Sequence, residues 1–156
     1  MKTFTKQLGV TLLEVMLVLA VAAMIIVMSI RYYQSASASQ QTNGAIQLAQ
    51  GIAAAADSLA QKNGSYDPAT NPDMTAANIQ ALMPNNSLNT PWGVAATIGT
   101  FTATGYTVTF PQTPATVCIQ ISTRLSANPN YTSVTPVATC GTSGSVSFSY
   151  TYSSVQ

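Results

Sequence analysis

The chain of 156 residues has no histidine, two cysteines and one tryptophan, and only nine of its side chains are charged. Without histidine, the commonest general base near neutral pH and the commonest metal ligand are both missing. Neither a histidine-activated serine nor a histidine-activated cysteine can be assembled. Cys118 and Cys140 are too few for a disulfide-dense mini-protein, and no C-x-x-C pair points to zinc. Five Lys/Arg against four Asp/Glu give a net charge of +1, which leaves no basic footprint for nucleic acid. No phosphate-binding loop occurs and no cofactor is implied. Charged residues are 6% of the chain, against roughly a quarter in an ordinary soluble domain, so the composition argues against a cytoplasmic enzyme.

The few charges are placed unevenly. Lys2 and Lys6 precede an apolar run, Glu14 sits near its start and Arg31 ends it; Asp57, Lys62, Asp67, Asp73 and Arg124 are the remainder. From Met74 to Gln156 the sole charged side chain is Arg124, and polarity comes from Ser, Thr, Asn and Gln. A free monomer generally relies on net charge to stay dispersed, so this surface suits a protein held in an assembly or outside the cell.

What the sequence has in abundance is apolar helix. Val10 to Ile30 reads VTLLEVMLVLAVAAMIIVMSI, 21 residues that span roughly 31 Å as a helix, about the thickness of a hydrocarbon core. Lys2 and Lys6 on the leading side, against Arg31 beyond it, place the amino terminus in the cytoplasm and the rest of the chain across the membrane. A plain signal anchor gains nothing from Glu14, because a carboxylate at membrane depth costs on the order of 3 kcal/mol. A cleaved secretory signal, with Ala36 and Ala38 as an A-x-A site, leaves Glu14 equally unexplained.

The segment MKTFTKQLG followed by VTLLEV resembles the amino terminus of a type IV prepilin. The resemblance rests on a short leader with two lysines, a glycine at its end, a glutamate five residues on and an unbroken apolar helix. It implies that a prepilin peptidase cuts between Gly9 and Val10, that the new amine of Val10 is methylated, and that Glu14, fifth in the mature chain, sets the register between subunits. Val10 stands where many type IVa pilins have phenylalanine, and Arg31 where a helix-kinking proline is frequent. The expected organisation is a leader over 1–9, a membrane and polymerisation helix over 10–31, an amphipathic second half over 32–62, and a globular head over 63–156.

Beyond Arg31 the chain carries no proline until Pro68, and Leu48, Ile52, Ala55, Ala56 and Leu59 recur at spacings of three and four, an apolar stripe for a helix laid against something. Gly44 and Gly51 allow close approach at a cost of about 1 kcal/mol each in helix propensity. Asn63-Gly64 supplies a stop. A helix from about Val10 to Gln61 is expected, with a break near Ser35 to Thr42 as the alternative, since serine-rich helix is weak.

The head begins with a Pro/Asn-rich stretch holding one short helix, TAANIQALM, capped by Asp73 or Thr75, with Ile79, Leu82 and Met83 on its apolar face and Pro84 at its end. Asn89 to Gly93 reads as a turn that Trp92 anchors. The run NIQALMP followed by TPWG resembles the thin-pilus branch of type IVb pilins. Alternation then predicts strands in GYTVTF (Tyr106, Val108, Phe110), TVCIQIS (Val117, Ile119, Ile121) and SVSFSYTYSSV (Val146, Phe148, Tyr150, Tyr152), with Ala95 to Ala103 as a possible fourth. The fold class expected is α+β, a helix on an antiparallel sheet whose outer face is Ser/Thr. In an exported chain Cys118 and Cys140 pair by default, and closing that loop contributes roughly 3.4 kcal/mol.

No catalytic constellation emerges, and Asp57, Asp67 and Asp73 fall in three different local structures, unlike the six to eight converging oxygens calcium needs. The resemblance implies a fibre subunit whose partners are copies of itself, the prepilin peptidase, an assembly platform driven by a separate ATPase, minor pilins, and the bacterial inner membrane before assembly. The uses it implies are adhesion, aggregation, motility or mating from the cell surface. A minor pilin or secretion pseudopilin, and from another class a secreted or anchored carbohydrate-binding module, are the alternatives.

Overall fold

The computed structural model describes residues 11–154. The fold is α+β, a pilin-like arrangement of one 52-residue helix, α1 (Leu12–Asn63), and a four-stranded antiparallel sheet. The chain divides into two compact units, the first ending at Ser37 and the second starting at Ala38. Helix α1 carries no break between Ser35 and Thr42. Ala36 and Ala38, the alternative cleavage site, therefore lie inside helix.

In the second unit one face of α1 is buried at Ala38, Thr42, Ala45, Ala49, Ile52, Ala53, Ala56 and Ala60, a repeat of three and four. The side chains on this stripe are mostly methyl groups, so the sheet's aromatic layer can come close to the helix. Leu48 and Leu59, expected in the stripe, flank it half-buried. The two glycines face side chains: a Cβ on Gly44 would stand 2.8 Å from Pro91 Cγ, and one on Gly51 would stand 3.0 Å from Met83 Cε.

After α1 the chain makes a turn-rich crossing that holds α2 (Ala76–Leu82). Thr75 is its N-cap, accepting the Asn78 amide at 3.2 Å. Ile79 and Met83 face the core as expected, whereas Leu82 is 53% exposed. The turn at Thr90–Gly93 is closed by the Gly93 amide on the Thr90 carbonyl at 2.9 Å, with Gly93 at φ +85°, a conformation glycine adopts freely. Trp92 anchors it by donating Nε1–H to the Pro111 carbonyl at 2.9 Å and meeting Phe110 edge-on at 6.1 Å.

Strands β1 (Thr97–Thr102) and β2 (Gly105–Pro114) form a hairpin. The chain then runs through α3 (Ala115–Leu125), β3 (Tyr131–Thr132) and β4 (Ser145–Ser153), and β4 inserts between β2 and β3 to give the order β1-β2-β4-β3. The alternation read in β2 and β4 holds: Tyr106, Val108, Phe110, Phe148, Tyr150 and Tyr152 point inward. Outward, Thr107 and Thr151 face each other with hydroxyls 3.3 Å apart. Gly105 is required where it is, since a Cβ there would strike the Tyr152 carbonyl.

One expected strand is a helix. TVCIQIS lies in α3, where Ala115, Val117, Cys118, Ile121, Ser122 and Leu125 are buried at helical spacing and Ile119 is turned outward. Pro114 stands at its N-cap, and burial of Val117, Cys118, Ile121 and Leu125 on one face outweighs the helix cost of its β-branched residues.

Candidate assembly surface

The first unit, as described, is a single helical stretch whose large apolar side chains are all uncovered. Between Leu12 and Ile30 fourteen Leu, Ile, Val and Met side chains stand 46–77% exposed. An 18-residue window has a mean hydropathy of 2.7, with none of it buried. Burying one such side chain contributes roughly 1.5–3 kcal/mol, so fourteen represent on the order of 20–40 kcal/mol of gross apolar transfer. Such a surface has to be covered by lipid or by protein. Ser29 does not interrupt it, because its hydroxyl donates to the Ile25 carbonyl at 2.8 Å within the helix.

Glu14 is the one charge in this stretch and lies in the first turn of α1, where the helix dipole favours a carboxylate. The Glu14 backbone N–H donates to Thr11 Oγ1 at 3.3 Å and to the Thr11 carbonyl at 3.0 Å. Thr11-Leu12-Leu13-Glu14 is therefore half of a capping box, a local signal that the sequence carries alongside the glutamate spacing. The cap uses the backbone of Glu14, and its carboxylate makes no hydrogen bond or ion pair within the described residues. Gly9 and Val10, the expected cleavage and methylation positions, lie outside the described residues.

In the head, Cys118 and Cys140 form the expected disulfide, with Cα atoms 5.6 Å apart and both residues fully buried. It ties α3 to the turn at Val137–Thr139. Between the two cysteines, Thr135 fastens the same segment: its amide donates to the Ser149 carbonyl at 2.8 Å, its Oγ1 accepts from the Ser149 amide at 2.8 Å, and its carbonyl accepts from Ser122 Oγ at 2.8 Å. Two polar ties join α3 to α1, Thr42 Oγ1 to Gln120 Oε1 at 3.0 Å and Arg124 Nη1 to Asn43 Oδ1 at 2.6 Å.

Asp57, Asp67 and Asp73 do not converge. Asp73 pairs with Lys62 at 2.6 Å on the surface, and this bond raises the Lys62 pKa. Asp67 Oδ1 accepts the Ala69 amide within its own turn. Asp57 has a role that the acidic-trio reading missed. Its two oxygens accept from Tyr66 Oη at 2.5 Å and Tyr152 Oη at 2.8 Å, which clasps the loop after α1 and the last strand to the helix. Burial, then the bond to Asp57, pushes the Tyr66 phenol up to about 12, and the same causes raise Tyr152 further. An open cleft of about 780 Å³, lined in part by Gln61, Thr104, Ser153 and Ser154, lets water reach the outer side of this carboxylate. Among the described residues no three His, Cys, Asp or Glu side chains gather as metal ligands would.

Comparisons with protein-family profiles, with curated proteins and with solved structures each return no match.

Proposed function

We propose that the chain is the structural subunit of a type IV pilus, of the type IVb or thin-pilus kind, that polymerises through its amino-terminal helix into a surface fibre. The observation that carries this reading is the uncovered apolar stretch Leu12–Ile30, with one carboxylate five residues beyond a leader glycine. In the precursor, the inner membrane covers that surface; in the fibre, the same surface of neighbouring copies covers it. Apolar burial is kept in both states, so subunits enter and leave the fibre without showing this surface to water. The prepilin peptidase removes residues 1–9, Val10 is methylated, and an ATPase-driven platform with minor pilins supplies the work of assembly.

Glu14 then acts between subunits. Cleavage creates a positive amine at Val10, which is costly to bury without an opposite charge. The Glu14 carboxylate, unused by its own N-cap, is the one anion on this surface able to meet the amine of a neighbour. The disulfide-fastened head, poor in charge and rich in hydroxyls, forms the outer face of the fibre and serves adhesion, aggregation, motility or mating.

Intact mass of the exported protein tests the assignment. Loss of residues 1–9 with gain of one methyl group is expected. Loss through Ala38 would instead identify a secreted module, and no loss a signal-anchored protein.

A further inference from the structure

Assembly explains why Leu12–Ile30 is apolar but not the character of the next three residues. Arg31, Tyr32 and Tyr33 are consecutive, and the two tyrosines are 79% and 75% exposed, as open as Leu12 at the other end of the run. Neither phenol makes a side-chain hydrogen bond within the described residues. Consecutive helical residues are about 100° apart, so the three side chains fan around more than half of the helix circumference at one level. Tyr32 and Tyr33 also line a shallow, mainly apolar groove with Met28, Ser29 and Ala36. Directly beyond them the helix turns polar, with Gln34, Ser35 and Ser37, so the three residues stand at the boundary between apolar and polar helix.

We propose that Arg31, Tyr32 and Tyr33 form a collar that binds the phospholipid headgroup layer on the side of the bilayer away from the amino terminus, and thereby sets the depth of the precursor helix. The inference rests on the membrane-spanning reading above. Leu12 to Ile30 is 19 residues, or about 29 Å of helix, so a collar starting at Arg31 falls where hydrocarbon gives way to headgroups. Tyrosine favours that level because its ring is apolar and its hydroxyl needs a wet partner. The Arg31 guanidinium supplies the matching charge, donating to lipid phosphate oxygens while its stem stays along the apolar surface. The three residues thus oppose sliding in both directions: inward movement buries a guanidinium and two hydroxyls in hydrocarbon, and outward movement exposes Ile26 to Ile30 to water.

The test uses the full-length precursor in phospholipid vesicles, with added tryptophans as depth probes and the parent protein, which holds only Trp92, as the baseline. Acyl chains brominated just below the glycerol or near the terminal methyl act as shallow and deep quenchers. Leu19→Trp reports whether the helix spans at all and is expected to be quenched best by the deep bromines. Tyr33→Trp is expected to be quenched at least about twofold more by the shallow bromines than by the deep ones, as an interfacial ring should be. Replacing both Tyr32 and Tyr33 by serine is expected to shift the shallow-to-deep ratio at Leu19→Trp. Deep quenching at position 19 with none, or with deep quenching, at position 33 would overturn the collar and leave the spanning helix standing. Absence of quenching at both positions would overturn the membrane reading as well. An unchanged ratio at position 19 after the double serine replacement would show that the tyrosines do not set depth, and would also overturn the proposal.

Discussion

Replacing Asp57 by asparagine, alone and together with Tyr152→Phe, measures how strongly the last strand is held to α1. In the wild type one carboxylate accepts two phenolic donors, at 2.5 Å from Tyr66 and 2.8 Å from Tyr152. A hydrogen bond to a charged group contributes about 1.5–3 kcal/mol, and two give roughly 3–6 kcal/mol if both are lost from a dry site. Two features reduce that figure. Asparagine keeps one carbonyl oxygen able to accept from one phenol, and the cleft beside Asp57 lets water take part of the other's place. Asp57→Asn is therefore expected to cost about 2 kcal/mol, and Tyr152→Phe about 1.5 kcal/mol. If the two groups act through one bond, the double variant should cost about 1 kcal/mol less than the sum of the singles. Urea unfolding followed through Trp92 is a suitable assay, since its Nε1–H is bonded to Pro111 inside the head and its environment changes when the sheet opens. Additive single costs, or a coupling below about 0.3 kcal/mol, would refute the clasp as an energetic unit.

Tyr150→Phe should have the opposite sign to Tyr152→Phe. The Tyr150 hydroxyl is buried without a partner among the described residues, so removing it should be neutral or stabilise the head by about 1 kcal/mol in the same urea assay. Cys118→Ser opens a loop of sequence separation 22 and is expected to cost about 3 kcal/mol while leaving leader cleavage intact; an unchanged midpoint would contradict it. Alkaline titration gives a further check. A phenol whose folded pKa is raised contributes stability that is full below the unfolded value of 10.0 and is lost as pH rises through the folded value, about 12 for Tyr66. The head should therefore weaken from about pH 10 upward, with the phenolate absorbance of its five tyrosines, Tyr66, Tyr106, Tyr131, Tyr150 and Tyr152, appearing only as it unfolds; early ionisation of all five in a folded head would contradict this.

The elements legible in the sequence are those in which one period runs long enough to exclude another. The apolar run into α1 and the alternation of β2 and β4 are of this kind, whereas the cap of α2 is legible only as a choice between Asp73 and Thr75, of which Thr75 is the one used. Segment 115–125 is not legible because Val117, Ile119 and Ile121 alternate over a few residues, and only the burial of Cys118, Ser122 and Leu125 reveals the helical spacing. Leu82 misleads for a related reason: a helix of seven residues shows the core too narrow a face to bury Ile79, Leu82 and Met83 together. At the candidate surface, Glu14 stands out through its isolation in an apolar run, whereas Thr11 is easily passed over although T-x-x-E is a local signal. The Asp57 clasp has no such signal, because its partners lie 9 and 95 residues away and only the fold brings them together.

Fibre formation by Glu14→Val tests the central claim most directly. The Thr11 cap uses the Glu14 backbone and survives the change, so the local loss is only the dipole contribution of about 0.3–1 kcal/mol. If the helix polymerises with Glu14 meeting a neighbour's amine, the variant should be exported, cleaved to normal mass and held in the membrane. It should form no homopolymeric fibres by electron microscopy, yet enter wild-type fibres in part when the two are co-expressed. Abundant fibres of normal length from Glu14→Val alone would contradict the account.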